Sequence, residues 1–164
     1  MKYNPDFHHR RSHRLQGYDY SSCGAYFMTI RSHNRECIFG EISEGEMQLN
    51  ELGKIARSHW QQLSQRYQNL QIDESIVMPN HLHGIIILLE SSSDRRKSIS
   101  EIIRGFKTFS TRQINGIRHQ YGIPVWQRNY YDRIIRSEEE LNNVREYILK
   151  NPQNWDIDTN KQDL

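Results

Sequence analysis

His81 and His83 flank Leu82, directly after Met78-Pro79-Asn80 and ahead of the apolar run 84–89. That run is rich in isoleucine and reads as a buried strand. On a strand, residues i and i+2 point to the same face. The two imidazoles therefore stand side by side, with Leu82 directed into the opposite layer. Two histidines on one face at the mouth of a central strand can hold a single divalent metal. Taken alone, a His-x-His at a strand start more often marks two surface histidines, so a second group of residues has to support the chemical reading.

That group is Tyr147 and Asn151, in the run Val144-Arg145-Glu146-Tyr147-Ile148-Leu149-Lys150-Asn151-Pro152. Ser137 followed by Glu138, Glu139 and Glu140 has the form of a capping box with an acidic first turn, which suits a helix N-terminus. Leu141, Val144 and Ile148 supply an apolar stripe, and Pro152 stops the helix. Tyr147 and Asn151 are four apart and share a face beside that stripe. A phenolic hydroxyl and an amide oxygen thus sit one turn apart. Judged from this helix alone, Tyr147 is equally a packing aromatic and Asn151 a C-terminal helix residue.

The elements that must position these groups follow the order strand, helix, strand, strand, helix, strand, then the tyrosine helix. Residues 24–33 form the first strand, and 36–43 pair back on it as a short second one. Leu52, Ile55, Ala56, Trp60, Leu63 and Tyr67 mark an amphipathic helix over 49–67. Strands follow at 72–78 and 81–90, broken by Pro79-Asn80, and 91–96 is a loop. Ile99, Ile102, Ile103, Phe106, Phe109 and Gln113 mark a second long helix starting near Ser98. Residues 130–136 form a short strand. This pattern suggests an α+β ferredoxin-like sandwich, an antiparallel sheet with two helices on one face and the tyrosine-bearing helix added at the C-terminus.

Four segments carry a resemblance to a known family: Arg14-Leu15-Gln16-Gly17-Tyr18-Asp19-Tyr20, the Met78-to-His83 motif, residues 125–136 beginning Val125-Trp126-Gln127-Arg128, and Tyr147-Ile148-Leu149-Lys150-Asn151-Pro152. In this order they resemble the single-tyrosine HUH transposases, most of all the REP-associated tyrosine transposase branch. The likeness runs from about Arg10 to Trp155. It implies the same ferredoxin-like fold. It also implies that Tyr147 attacks a phosphodiester in single-stranded or hairpin DNA, forming a covalent 5′-phosphotyrosine. Tyrosine ordinarily titrates near pH ~10, so the reaction needs help at neutral pH. The resemblance implies a divalent metal at His81 and His83, polarising a phosphate oxygen. Asn151 is the third ligand in that reading, an amide oxygen suited to a hard cation. Related insertion-sequence enzymes often carry glutamine there, and asparagine is the REP-associated pattern. Mg²⁺ or Mn²⁺ is expected rather than structural Zn²⁺, because no cysteine or third histidine has ligand spacing.

Charge agrees with a nucleic-acid partner. The chain has 164 residues and a net charge of only +2, but the basic residues cluster. Arg95, Arg96, Lys97, Arg104, Lys107 and Arg128 fall in the second half, and Arg10, Arg11 and Arg14 lie in a His/Arg-rich N-terminal stretch. Arginine and lysine interleaved with aromatics suits phosphate contact and base stacking. A solvated basic helix face would look the same. Trp126 reads as a core anchor more than a DNA contact. Tyr130 and Tyr131 alternate on a strand and are rival tyrosines. Asp73 and Glu74 read as exposed turn acids.

The expected organisation is a basic arm over 1–20, one catalytic domain over 21–155 and a polar tail over 156–164. No apolar stretch approaches the roughly 18–20 residues of a membrane span, and the start lacks the apolar core of a signal peptide. Cys23 and Cys37 form no Cys-x-x-Cys pair, which suits a reducing cytoplasm. Monomer and homodimer are both compatible with the pattern. Two other classes stay open: a ferredoxin-like nucleic-acid-binding domain without chemistry, and a metal-dependent phosphodiesterase using water. The first lacks the aromatic glycine motif of RNA-recognition domains. The second needs more carboxylates near His81 and His83 than the sequence offers.

Overall fold

A computed structural model describes residues 22–91 and 96–157. Its main sheet has four antiparallel strands in the order β4-β5-β1-β6. These are β1 (Gly24–Arg31), β4 (Leu70–Met78), β5 (His81–Leu88) and β6 (Tyr131–Ile135). The two most apolar strands, β1 and β5, lie at the centre and pair from Gly24 opposite Leu88 to Arg31 opposite His81. The fold class is the ferredoxin-like one that the element order suggests.

Strand periodicity separates two apolar layers. Tyr26, Met28, Ile30, Leu82 and Ile86 face a large core shared with α1 (Glu51–Gln61), α2 (Leu63–Arg66) and α3 (Ile99–Arg118). Phe27, Ile85 and Ile135 face the other way, where Val144 and Ile148 of α4 (Glu138–Lys150) cover them. The tyrosine-bearing helix is thus, among the described residues, the one α-helix on its side of the sheet.

Local chemistry sets the helix ends. Ser98 and Glu101 close a reciprocal capping box at the start of α3. At α4, Ser137 accepts from the Glu140 N–H at 3.1 Å, but the Glu140 carboxylate reaches back one residue further, to the Arg136 N–H at 2.9 Å. The second half of the expected box is therefore displaced onto the preceding residue. Asn151 caps the C-terminus before Pro152.

The segment expected to pair back on the first strand does something else. β2 (Gly40–Ser43) pairs with β3 (Glu46–Leu49) in a separate two-stranded hairpin. Glu44 and Gly45 both have positive φ, 52° and 77°, the backbone of a type I′ turn whose twist suits a tight hairpin. The helix expected over 49–67 consequently starts later, at Glu51 after an Asn50 cap, and breaks at Gln62.

One glycine fixes the layer behind the histidines. A Cβ on Gly84 would come 2.4 Å from Cζ2 of Trp60. The Trp60 ring fills the space that a side chain at 84 would need, and so locks α1 onto β5.

Candidate active site

The two histidines stand where strand geometry puts them. β4 and β5 are joined by Pro79 and Asn80 alone, with Met78 opposite His81. His81 and His83 share one face, with ring centroids 4.4 Å apart, and both are buried. Leu82 points into the opposite core.

Each imidazole is oriented through its Nδ1. His81 Nδ1 lies 2.8 Å from Asn80 Oδ1, and the Asn80 amide nitrogen donates to the Arg35 carbonyl. The Asn80 oxygen can only accept, so the His81 proton sits on Nδ1 and the Nε2 lone pair faces away from it. His83 Nδ1 is hydrogen-bonded to Thr29 Oγ1 at 2.8 Å. Burial, with the adjoining His81 and Arg31, holds the His83 pKa well below the usual 6.5. It is therefore neutral at neutral pH, the form in which imidazole binds metal. Fixing one ring nitrogen to present the other is how metal-binding histidines are generally held.

Tyr147 reaches this pair from α4. Its hydroxyl is 3.4 Å from His83 Nε2, and its ring meets Phe27 edge-on at 6.0 Å. Tyr147 remains 45 % exposed; a large aromatic left open next to two buried imidazoles is available to a ligand. Tyr147 and His83 belong to the same chain. Tyr130 lies 3.5 Å from Ser100 Oγ and packs on the α3 side.

Asn151 is 2 % exposed, and its Oδ1 is buried without a hydrogen bond among the described residues. Such an atom is costly, and a cation would satisfy it. Two imidazole nitrogens on β5 and an amide oxygen one turn beyond Tyr147 are donor types that fit a divalent ion. No cluster of three or more histidine, cysteine, aspartate or glutamate ligands occurs among the described residues, so an ion here depends on Asn151 and solvent or substrate oxygens. Trp155 stacks on His81 at 6.2 Å and closes the site beyond the end of α4.

The tyrosine helix is tied down by an ion pair that local patterns do not reveal. Arg145 donates to both oxygens of Asp73, at 2.6 and 2.8 Å. The register between β4 and β5 shifts between Ile72 and Ser75, and this bulge presents Asp73 toward α4. The Arg145 hydrogen bond lowers the Asp73 pKa. Asp73 is thus an anchor of α4 and not an exposed turn acid. Thr29, Asn80, Arg31 and Arg133 also border the site, and sequence reasoning gave none of them a role in holding the histidines. The alternation of β1, which sends Thr29 and Arg31 to the histidine face, was the available signal.

The basic residues are only partly gathered. Arg10, Arg11, Arg14 and Arg95 lie outside the described residues. Arg96, Lys97, Arg104 and Arg128 are exposed; Lys97 pairs with Glu101 at 3.3 Å, and Arg96 donates to the Ser91 carbonyl. α3 lies across the sheet from Tyr147, so Arg104 is not brought to the tyrosine. Lys107 turns inward. Its ammonium donates to the carbonyls of Gln127, Arg128 and Asn129 at 2.7, 3.3 and 3.1 Å, and burial lowers its pKa to about 8. Lys107 organises this loop, which argues against the phosphate contact expected of it. Trp126 is core, stacked on Phe39 at 4.7 Å and donating to Ser110 Oγ at 2.9 Å.

Comparison with known proteins gives consistent results. The family described as "Transposase IS200 like" matches residues 20–151. A Haemophilus influenzae protein of uncharacterised function is 39% identical over 96% of both chains. A second protein of that organism, provisionally assigned as a REP-associated tyrosine transposase, is 25% identical over 82% of this chain and 73% of its own. Among solved structures, a REP-associated tyrosine transposase bound to a REP hairpin superposes with a TM-score of 0.60 at 19% identity, covering 86% of this chain and 72% of the other. A provisionally assigned transposase of Deinococcus radiodurans R1 gives 0.52 at 16% identity, covering 83% and 95%. Among the described residues no helix is long and apolar enough to cross a membrane.

Proposed function

Because the chain belongs to the IS200-like transposase family, we propose that it cuts and rejoins single-stranded or hairpin DNA, with Tyr147 as the nucleophile. The observation that carries this reading is the Tyr147 hydroxyl 3.4 Å from His83 Nε2, beside His81 on the same sheet face. The phenol gives up its proton and its oxygen bonds to phosphorus as the bond to the 3′ oxygen breaks. The electron pair leaves with that oxygen, which takes up a proton and becomes a 3′-hydroxyl, while the 5′ side stays on the tyrosine. Attack by a 3′-hydroxyl on the phosphotyrosine reverses the step, so joining needs no nucleotide cofactor.

A Mg²⁺ or Mn²⁺ held by His81, His83 and Asn151 would polarise a non-bridging phosphate oxygen and orient the bond for attack. The chain's own groups do the rest. Asn80 and Thr29 orient the imidazoles, and the Asn80 oxygen keeps the His81 proton on Nδ1. The Asp73–Arg145 pair and the Val144/Ile148 stripe hold α4 against the sheet, so the nucleophile is positioned before DNA arrives. A hairpin substrate is favoured because the hairpin complex of the REP-associated relative shares this fold. Exposed Arg96, Lys97, Arg104 and Arg128 are available to DNA backbone away from the cut.

The test is covalent capture. Labelled hairpin oligonucleotides with single-stranded flanks, incubated with Mg²⁺ or Mn²⁺, should give a DNA–protein adduct stable to denaturation. Tyr147→Phe should fold, bind DNA and give none. An adduct surviving in Tyr147→Phe moves the assignment to Tyr130 or Tyr131. Metal-dependent cutting by the wild type without any adduct replaces the mechanism by hydrolysis.

A further inference from the structure

Next to Tyr147, β1, β6 and α4 enclose a cleft of about 440 Å³. His81, Asn151 and Trp155 do not line it, so it is distinct from the candidate metal site and meets it at His83 and Tyr147. Its floor is set by sheet register. Phe27 lies opposite Arg133 and Thr29 opposite Tyr131, so these four side chains share the α4 face. Arg31, two residues on from Thr29, continues that row. Phe27 and Tyr131 meet edge-on with centroids 6.5 Å apart, and the Arg133 guanidinium stands 6.0 Å over the Phe27 ring. Val144 and Asn143 of α4 form the opposite wall.

The lining chemistry is specific in kind. Two arginines and three aromatic rings line the cleft, and no carboxylate does. Glu140 touches Arg133 at 3.5 Å from outside it, an exposed pair that an incoming phosphate can displace. Guanidinium groups recognise phosphate through a planar fork, and an aromatic ring presents a face to any base. A cavity of this size suits one small ligand. We propose that the cleft seats one nucleotide flanking the bond cut by Tyr147, with its phosphate between Arg31 and Arg133 and its base against Tyr131. The proposal rests on the DNA-cutting reading and adds to it a stacked neighbour of the reacting phosphate. Because ring stacking tolerates every base, the seat fixes the strand without reading its sequence.

The experiment walks a single abasic residue along the single-stranded flank of a labelled hairpin. Binding is followed by fluorescence anisotropy and adduct formation by denaturing gel. One position next to the cut should be sensitive, losing about tenfold in affinity or rate when its base is absent. In Tyr131→Ala the intact strand should show the same loss, and the abasic residue should add nothing further. Tyr131→Leu keeps bulk in the fold and should behave like alanine, whereas Tyr131→Phe keeps a ring and should retain discrimination against the abasic strand. Arg133→Gln should lower the salt slope of binding by about 0.7, the value for one phosphate contact on a single strand. Uniform tolerance of abasic residues, or losses from Tyr131→Ala and the abasic residue that simply multiply, would overturn the proposal. Absence of any adduct would sink the tyrosine mechanism instead, and the binding series would still decide on the cleft.

Discussion

Replacing Gly84 by alanine adds one methyl group at the centre of the sheet, directly behind His83. The new Cβ would lie 2.4, 2.7 and 2.9 Å from Cζ2, Cε2 and Nε1 of Trp60. To restore ordinary contact the ring or the strand must retreat by about 1 Å. Trp60 is 1 % exposed and packs edge-on against Phe106 with centroids 5.4 Å apart, so the ring has nowhere to go. Overpacking of this kind costs roughly 1–3 kcal/mol, and a rigid indole places the case near the upper end. For a domain of this size, about 3 kcal/mol lowers Tm by roughly 6–12 °C. Thermal and urea unfolding of Gly84→Ala measure the loss. The decisive comparison is the double-mutant cycle with Trp60→Leu, which is itself destabilising by several kcal/mol because it leaves a cavity. In that background the alanine should cost less than about 0.5 kcal/mol. Adduct formation should fall in Gly84→Ala even at temperatures where it is fully folded, because strand and imidazoles move together. A Gly84→Ala protein as stable as the parent, or one with the same penalty with and without Trp60, would refute the argument.

Other expectations concern the site. Chelation of divalent ions should abolish the adduct in the wild type, and His83→Ala and Asn151→Ala should each lose it while retaining hairpin binding by anisotropy; adduct formation in the presence of chelator would count against the metal. Asp73 has a depressed pKa, so its share of stability is present above its ordinary 3.8 and is lost as pH falls through the lower folded value. Asp73→Asn should therefore be less stable than the parent at pH 6, with the difference shrinking in acid unfolding below about pH 4; a pH-independent difference would exclude the ion pair as its cause. Since Tyr147 meets the His83 of its own chain, mixing Tyr147→Phe with His83→Ala should restore no adduct. Recovery on mixing would mean that the tyrosine helix exchanges between copies.

Much of the site was legible because it depends on local periodicity. The His81/His83 face follows from a period of two on β5, and the Tyr147–Asn151 spacing from one turn of α4. The order of apolar segments identified the layers, and the run 84–89 marked β5 as a central strand. The hairpin of β2 and β3 was missed because Glu46–Leu49 is only four residues long and its alternation runs straight into a strong helical pattern. The orientation of the imidazoles was also out of reach: Thr29 meets His83 across 54 positions and Arg145 meets Asp73 across 72. Such pairings come from strand register and a bulge, which no single segment encodes. Lys107 shows the converse. Its type and spacing suit a surface phosphate contact, yet the three carbonyls of the 127–129 loop are nearer.

The buried amide oxygen of Asn151 has a consequence for how such a chain ages. An acceptor shut away from water without a partner costs the folded state roughly 1–3 kcal/mol, and a leucine of similar size would not carry that cost. Tyr147, by contrast, is 45 % exposed and its hydroxyl adds little to the core. If the proposed cutting of DNA holds, a lineage that gave it up could lose the Tyr147 hydroxyl silently, with no change in fold. At position 151 it would gain stability by turning apolar. Decay of that proposed activity would therefore leave an asymmetric scar, with drift at the tyrosine and directed replacement at the asparagine.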